Sequence, residues 1–220
     1  MHMFAYPKQA EVNRVVPKSK IYAHAKPSKR VRELFVSEVD EILWKYKLSP
    51  ETINLRARDG ITEIEVFEIT LKTPELDDAV LEAIDRAIPF PLLFQLIHAD
   101  TIRFVASYKR KSETDSSKWV IEASFQSEPQ PLAAERLPLP VSLDLAGLYD
   151  QVVRCHIPLR ARVDESLADY VARFQAIETK SRELQQLEAR LEREKQFNRK
   201  VELNASLRSV SRELENLKQL

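Results

Sequence analysis

The stretch TINLRARDGITEIEVFEITL, residues 52–71, predicts a β-hairpin at the centre of the fold. Its Asp59-Gly60 dipeptide favours a two-residue type I′ turn, because both central residues of that turn need a positive φ. Folding the chain about this turn places Leu55 opposite Ile64, so that apolar side chains meet on one face of the pair. We therefore predict two antiparallel strands, to which the neighbouring elements add.

Amphipathic helices are predicted on both sides of the hairpin. Ser28 can cap a helix over residues 29–46, whose apolar side chains recur every three or four positions. Pro50 follows this helix and marks its end, since the residue before a proline is disfavoured in the helical region. A second helix is predicted to open at Pro74 and to end before Pro89.

Three more strands follow the second helix. Residues 92–97 form a continuous apolar run, while residues 102–108 and 119–125 alternate between apolar and polar side chains. The polar segment 109–118 predicts a hairpin tip. The order of elements predicts an α+β domain over residues 28–126, with a mainly antiparallel sheet and two helices that cover one face.

Three segments lie outside this domain. Residues 1–27 are expected to form a basic irregular arm, because the first 32 residues contain eight Lys and Arg but only one acid, Glu11. Four prolines in residues 127–140 predict a strap, which together with a short helix fills residues 127–163. Residues 164–220 contain neither Pro nor Gly and predict a long helical, coiled-coil-like tail.

The tail contains two apolar heptad patterns that are out of phase, with the break inside residues 192–204. Such a break fits a stutter in one helix or a turn between two antiparallel helices, and the lack of Gly and Pro favours a continuous or gently broken helix. An apolar seam of this length needs a partner, so we predict a homodimer or docking on another protein. The predicted contact residues are Leu184, Leu187, Leu191, Leu207, Val210 and Leu214.

The composition excludes several classes of site. Two glycines in 220 residues cannot supply a Gly-rich phosphate loop or a dinucleotide fingerprint. The single Cys155 forms no internal disulfide, and the four histidines are not at metal-ligand spacing. No run approaches the roughly 18 apolar residues of a membrane span. We therefore expect a cytoplasmic protein without cofactor, metal or membrane contact, and we predict no catalytic residue.

Two groups of polar residues are candidate contacts. Basic residues of the arm and of one strand end could neutralise nucleic-acid phosphates, although the arm could equally pair with acidic residues of its own fold or remain solvated. These residues are Lys18, Lys20, Lys29, Arg30, Lys109, Arg110 and Lys111. Polar residues near the break of the tail could form a recognition stripe or a polar layer that fixes the helical register. They are Gln196, Asn198, Arg199, Lys200 and Asn204.

A metal-dependent nuclease would need two carboxylates and a lysine close together on adjacent strands. The acids Glu63, Glu65 and Glu68 precede Lys72 on the second strand of the predicted hairpin. However, Glu68 and Lys72 would lie roughly 13 Å apart along a strand. This spacing does not fit such a site.

Several motifs resemble a bacterial family known only as a domain of unknown function, DUF4391. They are IDRAIPFPLLF (84–94), YKR (108–110), LP (137–138) with LY (148–149), and EKQFNRKVELN followed by LR (194–208). The resemblance covers most of the chain from about residue 20, and the last motif is its most specific part. Members of that family tend to lie beside a DNA methyltransferase and a helicase in restriction-like or phage-defence gene clusters. The resemblance carries over no catalytic residue.

The resemblance implies a non-catalytic accessory or scaffolding subunit of a DNA-processing system, which docks on a methyltransferase or helicase. The missing catalytic constellation and the unpaired heptads agree with this hypothesis. Two alternatives stay open at this point. One is direct DNA binding through the basic arm, and the other is a divergent metal-dependent nuclease.

Overall fold

The computed structural model describes residues 3–112, 114 and 119–219, and the chain divides into two compact units, residues 1–156 and 157–220. The strands are β1 (Phe4–Ala5), β2 (Glu11–Val15), β3 (Val39–Leu48), β4 (Ile64–Leu71), β5 (Leu92–His98), β6 (Thr101–Lys111), β7 (Trp119–Gln126), β8 (Gln130–Pro131) and β9 (Leu137–Pro138). The helices are α1 (Lys18–Ala25), α2 (Lys29–Glu38), α3 (Pro50–Ile53), α4 (Asp78–Ala87), α5 (Leu145–Arg154), α6 (Leu167–Arg193) and α7 (Phe197–Lys218).

The first unit is built on one mixed sheet with the strand order β2-β3-β4-β5-β6-β7, and β8 also pairs with β6. Within it, β4 and β5 run parallel and are joined through α4, while the other neighbours are antiparallel. The α+β class and the mainly antiparallel sheet are therefore confirmed. A separate short parallel pair joins β1 and β9.

The core of this unit lies between the sheet and helices α1, α2 and α4. Phe35 of α2 is fully buried, and Ile84 of α4 is buried with it. They pack in one cluster with sheet residues such as Phe67 and Phe94. Burying one such large apolar side chain stabilises the fold by about 1.5–3 kcal/mol. Three helices thus pack on one face of the sheet, whereas the sequence predicted that two helices would cover it.

The helix predicted over residues 29–46 is wrong beyond Glu38, where the chain continues as β3. The end of α2 is fixed by residues that are distant in the sequence. The Nζ atom of Lys18 donates to the carbonyl oxygens of Phe35 and Val39 at 2.8 and 2.6 Å. Lys72 donates to another carbonyl of the same turn at 2.9 Å. Cations are favourable at this end of a helix, because its unpaired carbonyls carry partial negative charge.

The predicted turn at Asp59-Gly60 forms, with φ values of 51° and 80°. The predicted strand pairing around it is wrong. The Ser49 and Thr52 side chains form a capping box that turns residues 50–53 into α3. As a result, β4 pairs with β3 and β5 instead of folding back on the segment before the turn.

Other boundaries also differ from the sequence-based expectations. The segment 1–27, expected to be irregular, contains β1, β2 and α1. The helix expected to open at Pro74 begins at Asp78, because the side chain of Asp77 accepts the Ala79 N–H at 2.9 Å and caps it there. Strand β6 extends to Lys111, while residues 113 and 115–118 of the expected hairpin tip lie outside the described residues.

The second unit is a helical hairpin. Helix α6 ends at Arg193 and α7 begins at Phe197, so the predicted continuous helix is wrong and the antiparallel alternative is correct. The Nζ atom of Lys180 lies 2.7 Å from the carboxylate of Glu213, which places the two helices side by side. In the predicted seam, Val210 and Leu214 are buried, whereas the other four residues are half-buried: Leu184, Leu187, Leu191 and Leu207.

The base of the hairpin is held by a buried ion pair. The guanidinium of Arg173 donates to both carboxylate oxygens of Glu165, at 2.6 and 2.8 Å. It also donates to the carbonyls of Arg160 and Leu217, and so joins the loop before α6 to the end of α7.

Among the described residues, no helix has both the length and the apolar composition that crossing a membrane requires.

Candidate functional site at the hairpin turn

The turn between α6 and α7 is made by a carboxylate rather than by Gly or Pro. The Oε1 atom of Glu194 accepts the backbone N–H groups of Lys195 and Gln196 at 2.8 and 2.9 Å. These hydrogen bonds, with the nearby charge of Arg199, lower the pKa of Glu194 below its usual value. A carboxylate before the first turn of a helix is also favoured by the helix dipole. The turn is therefore held by specific bonds and presents the start of α7 in a fixed position.

Two large apolar side chains are exposed on the first turns of α7. Phe197 is 77% exposed and Val201 is 54% exposed. Residues four apart lie on the same side of a helix, so the two form one patch. The patch points away from the face of α7 that carries the buried Val210 and Leu214. Neither side chain contributes to the core of the hairpin.

The outward face of α7 continues from this patch into basic residues. At 100° per residue, Ala205, Arg208 and Arg212 follow Phe197 and Val201 along the same side of the helix. All three are exposed, and neither arginine forms an ion pair within the described part of the chain. We call the face formed by Phe197, Val201, Ala205, Arg208 and Arg212 the outward face. It has apolar side chains at its start and two arginines further along, and the exposed Glu215 lies on the same side of α7 beyond them.

The predicted recognition stripe does not form one face. Its members are all exposed, so they are not a polar layer between the helices either: Gln196, Asn198, Arg199, Lys200 and Asn204. Asn198, Arg199 and Lys200 are consecutive and point in three directions around α7. The Nδ2 atom of Asn204 donates to the Lys200 carbonyl at 2.8 Å, within the helix itself. The sequence-based candidates did not include Phe197 and Val201. Both are apolar residues that fall outside the two heptad patterns of the seam, and this could have indicated that they are exposed.

Most of the predicted nucleic-acid contacts have partners inside the chain. Lys18 binds the end of α2, as described above. Ion pairs join Lys29 to Glu33 at 3.9 Å, Arg30 to Asp77 at 3.1 Å and Arg110 to Glu122 at 2.6 Å. Lys20 and Lys111 are exposed. Within the arm itself, residues 1–27, Lys18 is thus the candidate that the fold binds, whereas Lys20 remains exposed.

Lys109 is the candidate that the structure contradicts most directly, because its side chain is only 1% exposed. Its Nζ atom lies 2.6 Å from the carboxylate of Asp85. It also donates to the carbonyl oxygens of Asp85, Ile88 and Phe90 at 2.8 to 2.9 Å. These carbonyls belong to the C-terminal end of α4 and the residues that follow it. Lys109 therefore binds the C-terminal end of α4, and its buried charge is not accessible to a nucleic acid.

The acidic residues considered for a nuclease do not come together. Glu65 and Glu68 lie three apart on β4, and their side chains therefore project from opposite faces. Glu68 lies 3.7 Å from Lys45, and Lys72 is bound to the end of α2. The described residues contain no group of three or more His, Cys, Asp or Glu side chains that could hold a metal ion.

Glu65 is nevertheless a perturbed group. It is 6% exposed on β4, and burial together with the neighbouring Glu63 carboxylate raises its pKa to about 7. The ammonium groups of Lys47 and Lys109 oppose this shift without cancelling it. Near neutral pH, Glu65 therefore keeps its proton more readily than an ordinary glutamate does.

Glu65→Gln should stabilise the protein at alkaline pH. Between pH 4.5 and about 7 the native protein keeps the Glu65 proton while the unfolded chain loses it, so the free energy of unfolding falls as pH rises. The full effect is about 3 kcal/mol. The variant should therefore gain stability over the wild type between about pH 5 and about pH 8 in urea denaturation. Glu68→Gln, on the opposite face of β4, is the matched control for the loss of a carboxylate from this strand.

The comparisons with known proteins assign the chain to a family without assigning an activity. The model of the family called Domain of unknown function (DUF4391) matches residues 4–214, so the chain belongs to that family. No curated protein and no solved structure matches the chain significantly.

Proposed function

We propose that this DUF4391 protein is a non-catalytic accessory subunit of a bacterial DNA-processing system, of the restriction-like or phage-defence kind. In this proposal it docks on a larger partner, a DNA methyltransferase or a helicase, through the outward face of α7. The observation that carries the proposal is the exposure of Phe197 and Val201 at a turn that is otherwise tightly hydrogen-bonded.

Exposed apolar side chains are common one at a time, so exposure alone is a weak argument. Here the two side chains are adjacent, belong to a helix, and continue into Arg208 and Arg212 along one face. Aromatic and arginine side chains are enriched in protein interfaces, and tryptophan, tyrosine and arginine are enriched among the few residues that dominate binding. A helix with such a face suits an apolar groove of another protein.

The charge of the outward face favours a different protein over a second copy of this chain. Two outward faces that packed with their helices parallel would place Arg208 and Arg212 of both copies close to each other, and like charges at an interface weaken binding. An acidic groove avoids this repulsion and would pair with both arginines. The partner expected here is therefore a protein surface with an apolar groove and a negative rim.

Phe197→Asp should abolish docking. Purified wild-type and variant protein would be immobilised, and binding of a DNA methyltransferase and of a helicase from the same genome would be measured separately. Truncating a central aromatic contact typically costs about 2 kcal/mol or more, and so we expect binding to weaken by about 30-fold or more. The fold should be unaffected, because the Phe197 side chain is largely exposed.

Val201→Asp and Val163→Asp form a matched pair. Both valines are exposed, at 54% and 91%, and both belong to the second unit, but Val163 lies outside α7. Only Val201→Asp should weaken binding. The proposal would be contradicted if the wild type bound neither partner, or if the Phe197→Asp variant bound as tightly as the wild type. Binding to duplex DNA alone that survives Phe197→Asp would favour the direct DNA-binding alternative.

A further inference from the structure

The first unit contains a cavity that the proposed docking does not use. It measures about 730 Å³, within the roughly 300–1,000 Å³ typical of small-molecule sites. One wall is α4 and the other is β7, and Ser107 and Lys109 of β6 lie between them. Among the described residues, the core beneath α1, α2 and α4 includes none from β7. The sheet therefore extends beyond the helices that cover it, and this leaves the space open.

The walls of the cavity are largely apolar. On β7, Ile121 is paired with Lys109, and paired residues of adjacent antiparallel strands project from the same face. Because the Lys109 side chain binds the end of α4, Ile121 also projects towards α4, as does Trp119 two residues away. Leu81 and Ile88 line the cavity from α4. An apolar ring can therefore be held between the helix and the strand.

Asp85 brings a buried carboxylate to the α4 wall. Its side chain is 2% exposed, and its Oδ1 atom lies 2.6 Å from the Nζ atom of Lys109. An ammonium group has three protons, and the carbonyl oxygens of Asp85, Ile88 and Phe90 accept hydrogen bonds from it. The Oδ1 atom of Asp85 therefore has a compensating charge nearby but accepts no hydrogen bond from the described residues. A buried acceptor without a donor costs free energy, which a bound N–H group would recover.

The charges beside the cavity restrict the ligand further. Asp78, Glu82 and Arg86 lie four residues apart on the exposed side of α4, and all three line the cavity. Two acids and one base make this edge negative, which disfavours an anionic ligand. Lys109 has no proton left for an anion, because three carbonyls accept them.

We propose that this cavity binds a small uncharged aromatic molecule with a ring N–H. The ring packs between Leu81 of α4 and Ile121 of β7, and the N–H donates to the Oδ1 atom of Asp85. A ligand without a donor leaves this buried acceptor unpaired, so the carboxylate selects molecules that have one. The lining residues all belong to the first unit, and ligand binding is therefore separate from docking through the outward face of α7.

Indole and benzofuran are matched probes for the wild-type chain, because they have nearly the same shape and only indole carries an N–H. Both would be titrated into the isotope-labelled full chain, and the amide NMR shifts of α4 and β7 would give the two dissociation constants. We expect indole to bind about tenfold or more tightly than benzofuran, since only indole completes the hydrogen bonding of Asp85. A purely apolar cavity would bind benzofuran at least as tightly as indole.

Ser124→Phe and Gln126→Phe locate the site. Both residues are exposed and lie two apart on the same face of β7, but Ser124 lines the cavity and Gln126 does not. Ser124→Phe should fill the space and weaken indole binding by about tenfold or more, while Gln126→Phe should bind indole as the wild type does. If Ser124→Phe does not fold, the comparison of the two probes on the wild type still decides. Three results would overturn the proposal: no binding of indole, equal or tighter binding of benzofuran, or undiminished binding of indole by a folded Ser124→Phe variant.

Discussion

Lys109→Met should destabilise the first unit by about 3–5 kcal/mol, because it leaves the buried Asp85 carboxylate without its counter-charge. Both side chains are almost completely buried, and their charged atoms are 2.6 Å apart. Burial raises the pKa of Asp85 and lowers that of Lys109, and the charge of each partner opposes the shift of the other. The variant also removes the donor to three carbonyls at the end of α4. Urea denaturation followed by tryptophan fluorescence would measure the loss.

Two further variants define the cause of that loss. Lys111→Met changes the same residue type two positions along β6, where the side chain is exposed, and should alter stability by less than about 0.5 kcal/mol. Replacing both partners, Lys109→Met with Asp85→Leu, removes the uncompensated charge and should recover at least about 2 kcal/mol. Equal stability of the two single lysine variants would contradict the role assigned to Lys109.

Lys109 also shows why the predicted nucleic-acid contacts were only partly informative. In the sequence, residues 108–111 are a basic run at the end of a strand, which is typical of a solvated or phosphate-binding surface. In the fold, a β-bulge between Tyr108 and Lys109 changes the register of β6 and β7. The hydroxyl of Tyr149 occupies this bulge, accepting the Lys109 N–H and donating to the Ser107 carbonyl. Neither contact is visible in local sequence.

The helix wrongly predicted over residues 29–46 has a related explanation. Val39 and Ile42 both face the core although they are three residues apart, a spacing typical of a helix. They can do so on a strand because the register of β3 and β4 shifts between Val39 and Glu41. A β-bulge therefore produces helical spacing within a strand. Only the flanking strands and the cations at the end of α2 distinguish the two structures.

Elements whose local signals agree were predictable. The apolar run and the alternating strands correspond to β5, β6 and β7, and Asp59-Gly60 forms its turn with the positive φ values it requires. The turn of the tail was not predictable in the same way. The turn contains neither Gly nor Pro, and Glu194 makes it by accepting two backbone N–H groups. Most differences between the predicted and the observed elements thus lie at boundaries that side chains fix, either from distant parts of the sequence or by binding the backbone of a turn.

The base of the helical hairpin depends on Arg173 as strongly as α4 depends on Lys109. The Arg173 and Glu165 side chains are 4% and 7% exposed, and the guanidinium lowers the pKa of Glu165 to about 2. This stabilisation is present above the unfolded pKa of 4.5 and is lost as pH falls towards about 2. Arg162 adds hydrogen bonds to the carbonyls of Asn216 and Gln219. The two arginines therefore hold the last turn of α7.

Arg173→Met should release α7 and destabilise the hairpin by about 3–5 kcal/mol, since Glu165 would stay buried without its partner. Because tenfold corresponds to about 1.4 kcal/mol, amide hydrogen exchange in the full chain should accelerate by about 100-fold or more over residues 197–218, while the first unit remains unchanged. Arg182→Met is the matched control on the same helix, where the arginine is 73% exposed and pairs with Glu178 across one turn. Exposed pairs of this kind contribute about 0.3–0.5 kcal/mol, so exchange should change by less than about threefold. If Arg173→Met exchanged as slowly as the wild type, the hairpin would be held by its apolar seam alone. The outward face at Phe197 would then keep its position without the hydrogen bonds of Arg173 to Glu165 and to the end of α7.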